Sequence, residues 1–83
     1  MTEPVPLANH REFGHAMARA RRAAGLTLDK LAERSGVSRR MLIEIEQGRA
    51  NPSLKVLHAV VHATGAPIAE LWAAACVGHA ASG

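Results

Sequence analysis

Residues 28 to 47, LDKLAERSGVSRRMLIEIEQ, change helical face across a single glycine, and no other stretch limits the fold as much. Leu28, Leu31 and Ala32 share one side of a first short helix. Gly36 stands where that helix must stop and the chain must turn, a place that favours positive φ. Val37, Leu42 and Ile45 then resume an apolar face on a second helix. Ser38 can cap that helix by accepting a bond from an unpaired backbone N–H. Ala32 is small where two helix backbones have to approach each other.

The flanks extend the pattern. A helix is predicted from about His10 to Ala24, with Phe13, Met17, Ala20 and Ala24 on one face and Gly25 at its end. Thr27 caps the next helix, and Asp29 suits the positive end of its dipole. Gly48 closes the helix that begins at Arg39, and a loop rich in breakers follows to Pro52. Ser53 caps a fourth helix whose inward side reads Leu54, Leu57, Val60, Val61 and Thr64. Gly65 ends it, and Pro67 opens a short fifth helix with Ile68, Leu71 and Trp72 facing in. The expected architecture is all-α, a five-helix orthogonal bundle over residues 10–75. Residues 1–9, MTEPVPLAN, read as a flexible arm, and residues 76–83 as a flexible tail.

Eighty-three residues make one domain with a thin core. Alanine dominates the apolar residues and the only aromatics are Phe13 and Trp72, which suits close-packed short helices and excludes a β-sandwich. No apolar run is long enough for a membrane span, and no basic-then-apolar leader opens the chain. Cys76 is the single cysteine, so no internal disulfide can form and a cytoplasmic setting is expected. The net charge of +3 leans only mildly toward an anionic partner. Placement says more. Of the 10 lysines and arginines, all but Arg11 lie between residues 19 and 55, whereas Glu70 is the only Asp, Glu, Lys or Arg after Lys55. That asymmetry predicts an electrostatic footprint in the first two thirds of the chain.

The outward positions of the helix from Arg39 are Arg39, Arg40, Ile43, Glu44 and Gln47. Two arginines on an exposed first turn can reach guanine edges and phosphates, so double-stranded DNA is the expected partner. Glu44 can accept from a cytosine amino group or pair with Arg40 one turn back, and the pair is preferred. No nucleophile stands beside a base, no glycine loop cradles a phosphate, and no carboxylates are paired, so no catalysis is expected. His58 and His62 lie one turn apart, and Cys76 and His79 make a second spacing, but nothing aligns all of them. Neither a metal nor a cofactor is expected.

From Phe13 to Trp72 the chain resembles the XRE type of helix-turn-helix domain, the Cro and phage-repressor group of bacterial regulators. The residues that carry the likeness are Arg21, then GLTLDKLAERSGVS from Gly25, IEQGRANPSL from Ile45, and the closing IAELW. The resemblance implies a lambda-repressor-like DNA-binding domain. The helix from Arg39 becomes its recognition helix, and Arg39, Arg40, Ile43 and Glu44 match base-facing positions. Thr27 with the first amides of its helix, and Arg49 and Asn51 with the helix capped by Ser53, match two clamps on phosphate; Ser38 is grouped with them. Arg21 and Glu46 match a structural pair that ties the first helix to the end of the third. Three positions depart from the family pattern. Leu28 replaces a frequent glutamine that touches phosphate and braces the recognition helix, Thr64 replaces a large apolar residue, and Ile43 puts an apolar group where bases are read.

One pattern exceeds the needs of a single core. Val56, Ala59, Val60 and Ala63 form a second apolar stripe on the fourth helix, opposite Leu54, Leu57 and Val61. With Trp72 and the uncharged tail it is expected to be a protein interface. A homodimeric repressor or controller on a pseudo-palindromic operator follows. Two other roles share the same residues: a partner-protein module such as the antitoxin of a toxin pair, and the DNA-binding part of a longer regulator.

Overall fold

The computed structural model describes residues 9–76, so residues 1–8 of the expected arm and 77–83 of the expected tail lie outside the described residues, while Asn9 and Cys76, expected in them, instead cap the first and last helices. Five helices follow one another: α1 (His10–Ala23), α2 (Leu28–Ser35), α3 (Arg39–Glu46), α4 (Leu54–Thr64) and α5 (Ile68–Ala75). Side chains fix where the first four begin. The Asn9 Oδ1 accepts from the Glu12 amide at 3.1 Å, Thr27 Oγ1 from Lys30 at 3.1 Å, Ser38 Oγ from Met41 at 3.1 Å and Ser53 Oγ from Val56 at 3.2 Å. Each bond satisfies one amide that the first helical turn leaves without a partner. The turn between α2 and α3 depends on Gly36, whose φ of 75° and amide bond to the Ala32 carbonyl stop α2 at once.

Met17, Leu31, Leu42, Ile45, Val60 and Leu71 are almost wholly buried and draw all five helices onto one centre. α1 packs against both α3 and α5, while α2 packs against α3 and α4. The last turn of α5 also meets the start of the described chain, where the Asn9 amide donates to the Ala75 carbonyl at 2.7 Å.

Two helix backbones come into close contact at Gly14, within α1. A Cβ there would sit 2.5 Å from the carbonyl oxygens of both Ile45 and Glu46. α1 therefore rests directly on the last carbonyls of α3. Two further contacts secure the same corner. Gly48 passes the α1 backbone so closely that a Cβ would be 2.9 Å from the Arg11 Cα. Arg21 donates from Nε to Glu46 Oε2 at 2.8 Å, from one terminal nitrogen to Glu46 Oε1 at 3.2 Å, and from the other to the Leu26 carbonyl at 2.9 Å. The Arg21 and Glu46 side chains are only 12% and 10% exposed, so solvent screens the pair little. Glu46→Ala is expected to lower stability by about 3 kcal/mol, near the low end for stranding one member of a buried pair. A urea midpoint shifted by no more than an exposed pair would give, under about 1 kcal/mol, would contradict this.

The structure corrects the expected faces of α4 and α5. Val60, read both on the inward side and in the second stripe, is 1% exposed and so lies inside, and Val56, Ala59 and Ala63 pack partly buried against the core, as do Leu57 and Val61. The stripe expected to face outward therefore belongs largely to the interior. Leu54, expected inside, is 78% exposed. On α5, Leu71 is buried as expected, but Ile68 and Trp72 are 50% and 65% exposed. The cause lies in α4 itself. Its polar residues Lys55, His58 and His62 recur about one turn apart on the exposed side, so the apolar side opposite them, centred on Val60, turns inward and packs against α2.

Candidate nucleic-acid interface

Helix α3 has two unlike sides. Leu42 and Ile45 are fully buried, whereas Arg39, Arg40 and Met41 on the first turn are exposed. Eight residues give a rod about 12 Å long, comparable to the width of the B-DNA major groove. The inner side is fixed to α1 through Gly14 and the Arg21–Glu46 pair, so the outer side is held at a set angle.

The two arginines differ in their surroundings. Arg39 Nε lies 3.0 Å from Asp29 Oδ1, a link from α3 to the first turn of α2. Arg40 has no ion pair within the described residues and stands free in solvent. The expected Arg40–Glu44 pair is not formed. Glu44 Oε2 instead receives Arg49 at 3.4 Å, because the Arg49 amide bonds the Glu44 carbonyl at 2.8 Å and folds the loop back over it. An arginine placed N-terminal to its glutamate is also the weaker order on a helix. Arg49 further donates to Gln47 Oε1. Ile43 is half-buried on the flank of α3.

The capping residues head three helices whose N-termini carry the partial positive charge that favours an anion. Thr27 precedes α2, and the Leu28 and Asp29 amides lack partners inside that helix. Ser38 heads α3 and Ser53 heads α4, with exposed Arg49 and Asn51 in the loop between them. Since all three hydroxyls already serve as caps, a phosphate there would be received mainly by free amides and basic side chains.

Sequence reasoning missed three features of this region. Asp29 was assigned to the helix dipole alone, yet it also holds Arg39. Met41 is 39% exposed on the outer flank of α3. Gly14 sets the position of α3, and its only signal was a glycine inside an otherwise continuous helical pattern. Elsewhere, the His58 and His62 rings are 5.4 Å apart on α4, and among the described residues no third His, Cys, Asp or Glu joins them. No described helix is long and apolar enough to cross a membrane.

Two helices joined at a left-handed glycine, the second fixed from behind and presenting arginine outward, define a helix-turn-helix DNA-binding domain. The profile of the helix-turn-helix family HTH_3 matches residues 17–71, and the chain belongs to this XRE-type family of transcriptional regulators. An uncharacterized HTH-type transcriptional regulator of Methanothermobacter thermautotrophicus is 47% identical over 45 residues, covering 54% of this chain and 65% of its own. The chain thus spans just under two thirds of that relative. A second uncharacterized regulator, y4dJ of Sinorhizobium fredii, is 40% identical over 58 residues, with 70% and 75% covered. Among solved structures, the clp gene regulator ClgR of Corynebacterium glutamicum superposes with a TM-score of 0.76 at 38% identity, covering 92% of this chain and 96% of that one. The restriction-modification controller protein C.AhdI of Aeromonas hydrophila gives 0.70 at 31% identity, with 74% and 92% covered.

Proposed function

We propose that this DNA-binding regulator is a repressor or controller that binds a pseudo-palindromic operator as a homodimer, with α3 in the major groove. The observation that carries the proposal is the exposed pair Arg39 and Arg40 on the first turn of a helix fixed from behind. Arg39, Arg40 and, at the flank, Ile43 face the bases, and Glu44 steadies Arg49. Thr27, Ser38 and Ser53 set the helix starts whose amides meet phosphate, with Arg49 and Asn51 beside them. Such contacts fix orientation, while base edges supply the sequence preference. Selection of bound duplexes from a random pool tests the reading. A two-fold symmetric consensus with half-sites about 34–36 Å apart is expected, and recovery of no consensus would refute it.

With Val60 in the core, the dimer surface falls to α5. Ile68 and Trp72 are one turn apart on one face of that helix, and Glu70 is its only charged residue. A contact between identical copies must be self-complementary, and an apolar patch satisfies this without opposite charges. Trp72→Glu is expected to give a folded monomer by sedimentation, with operator affinity reduced at least tenfold because the second half-site no longer adds its binding energy. Val56→Lys, by contrast, would strike a partly buried core position and unfold the domain. A wild-type chain that stays monomeric both free and on DNA would reject the homodimer. It would instead favour a different protein partner for the same α5 face, as in an antitoxin.

A further inference from the structure

Arg39 and Arg40 are adjacent in sequence, yet only Arg39 is held. Its Nε meets Asp29 Oδ1 at 3.0 Å, and Asp29 belongs to α2 rather than α3. A guanidinium carries five N–H donors in a planar fork. With the Asp29 carboxylate drawn to the Nε side of the guanidinium as an ion pair, the two terminal nitrogens are left, and they can meet guanine O6 and N7 together. The carboxylate also draws the fork toward α2, a bias that an unpaired arginine such as Arg40 lacks.

The placement of Asp29 has a cost in DNA binding. Its side chain is 82% exposed in the first turn of α2, beside amides suited to phosphate. A negative charge there opposes the DNA backbone whatever the sequence. It also competes with any phosphate that Arg39 could grip. Asp29 therefore disfavours general attraction while leaving Arg39 a geometry fit for one base. The Leu28 side chain next to it has no hydrogen-bonding group, so Asp29 is the side chain at the α2 start that can brace α3.

We infer that Asp29 is a specificity-setting positioning residue: by holding Arg39 Nε it aims the terminal nitrogens of that arginine at a guanine and keeps them from phosphate. Arg40, which lacks such a brace, adapts to whatever backbone or base lies before it. This rests on α3 being the recognition helix, and the experiment separates the two ideas.

The probe is a labelled duplex carrying the sequence that the wild-type chain selects from a random pool, together with duplexes altered at each base pair in turn. Asp29→Ala, Asp29→Asn, Arg39→Ala and the double variant Asp29→Ala/Arg39→Ala are compared by fluorescence anisotropy, with circular dichroism to confirm the fold. Asp29→Ala is expected to reduce discrimination about tenfold at one guanine per half-site, within the range a bidentate arginine contact supplies. Affinity for an unrelated duplex should rise at the same time. Asp29→Asn keeps the size of the side chain but removes the charge that draws Arg39, so it should lose the preference much as Asp29→Ala does while also raising general affinity. In the Arg39→Ala background, Asp29→Ala should leave the base preferences unchanged. An Asp29→Ala chain that binds all duplexes tighter by one common factor, with every base preference intact, would reduce Asp29 to a bulk charge and overturn the inference. Arg39→Ala without loss of any preference would overturn the recognition assignment of Arg39 itself, and the inference with it.

Discussion

Changing Arg39 and Arg40 together to alanine is expected to abolish selective DNA binding and leave the fold untouched. Both side chains are exposed, and neither touches the core. The lost Arg39–Asp29 contact is a surface pair, worth under about 1 kcal/mol to stability. On DNA the same arginines count for much more. Each bidentate contact with guanine contributes about 1–3 kcal/mol of discrimination, so two independent contacts give about 2–6 kcal/mol. Neighbouring residues do not add strictly, so the lower half of that range is the safer expectation. It still corresponds to a loss of about thirtyfold to several hundredfold in the preference for operator over random sequence. Arg49 should behave differently. Its loss is expected to weaken binding to every duplex alike and to reduce the salt slope by about one. Titrations of both variants at several salt concentrations distinguish the roles. Unchanged operator preference in the double variant would remove α3 from base reading.

The second large effect concerns Gly14, where two general rules give opposite signs. In an exposed helix, glycine to alanine stabilises by roughly 0.5–1 kcal/mol, because glycine loses more backbone freedom on folding. Here the new Cβ would lie 2.5 Å from two carbonyl oxygens of α3. Neither oxygen belongs to a flexible side chain, so one helix must move. Overpacking of this kind costs about 1–3 kcal/mol, more than the propensity gain returns. Gly14→Ala should therefore be less stable than wild type, and Gly14→Val should fail to fold in so small a domain. Thermal melts give the answer. A raised Tm for Gly14→Ala would mean that α1 does not rest on α3 as described. Gly14→Ala is also expected to bind operator less well than its stability alone explains, because the helix that must shift carries Arg39 and Arg40.

Much of this was legible in the sequence, for identifiable reasons. Thr27, Ser38 and Ser53 are short polar residues directly before apolar periods, and each accepts the capping bond its position implies. α2 and α3 alternate apolar and charged residues sharply, so Leu31, Leu42 and Ile45 fell on the buried side without ambiguity. α4 carries a weaker signal of the same kind: Lys55, His58 and His62 share its exposed side and Val60 lies opposite, but the large apolar residues Leu54, Leu57 and Val61 drew the expected inward face away from that axis. Contacts between elements were the other blind spot. Asp29 with Arg39, and Gly14 with the Ile45 and Glu46 carbonyls, join residues distant in sequence and of no shared local pattern. Periodicity describes one helix at a time and carries no information on which neighbour a given side meets.

The bond from the Asn9 amide to the Ala75 carbonyl has a consequence for how this domain can be attached to others. It brings the two ends of the described residues, Asn9 and Cys76, to a single vertex. Anything joined ahead of α1 and anything joined behind α5 would depart from the same place. Mechanically, the domain behaves as a bead on a ring rather than a bead on a string: tension between Asn9 and Cys76 would act first on that bond and on the packing of α1 against α5. A unit of this shape can be set into the loop of a host protein as a cassette, because its ends ask the host for almost no gap.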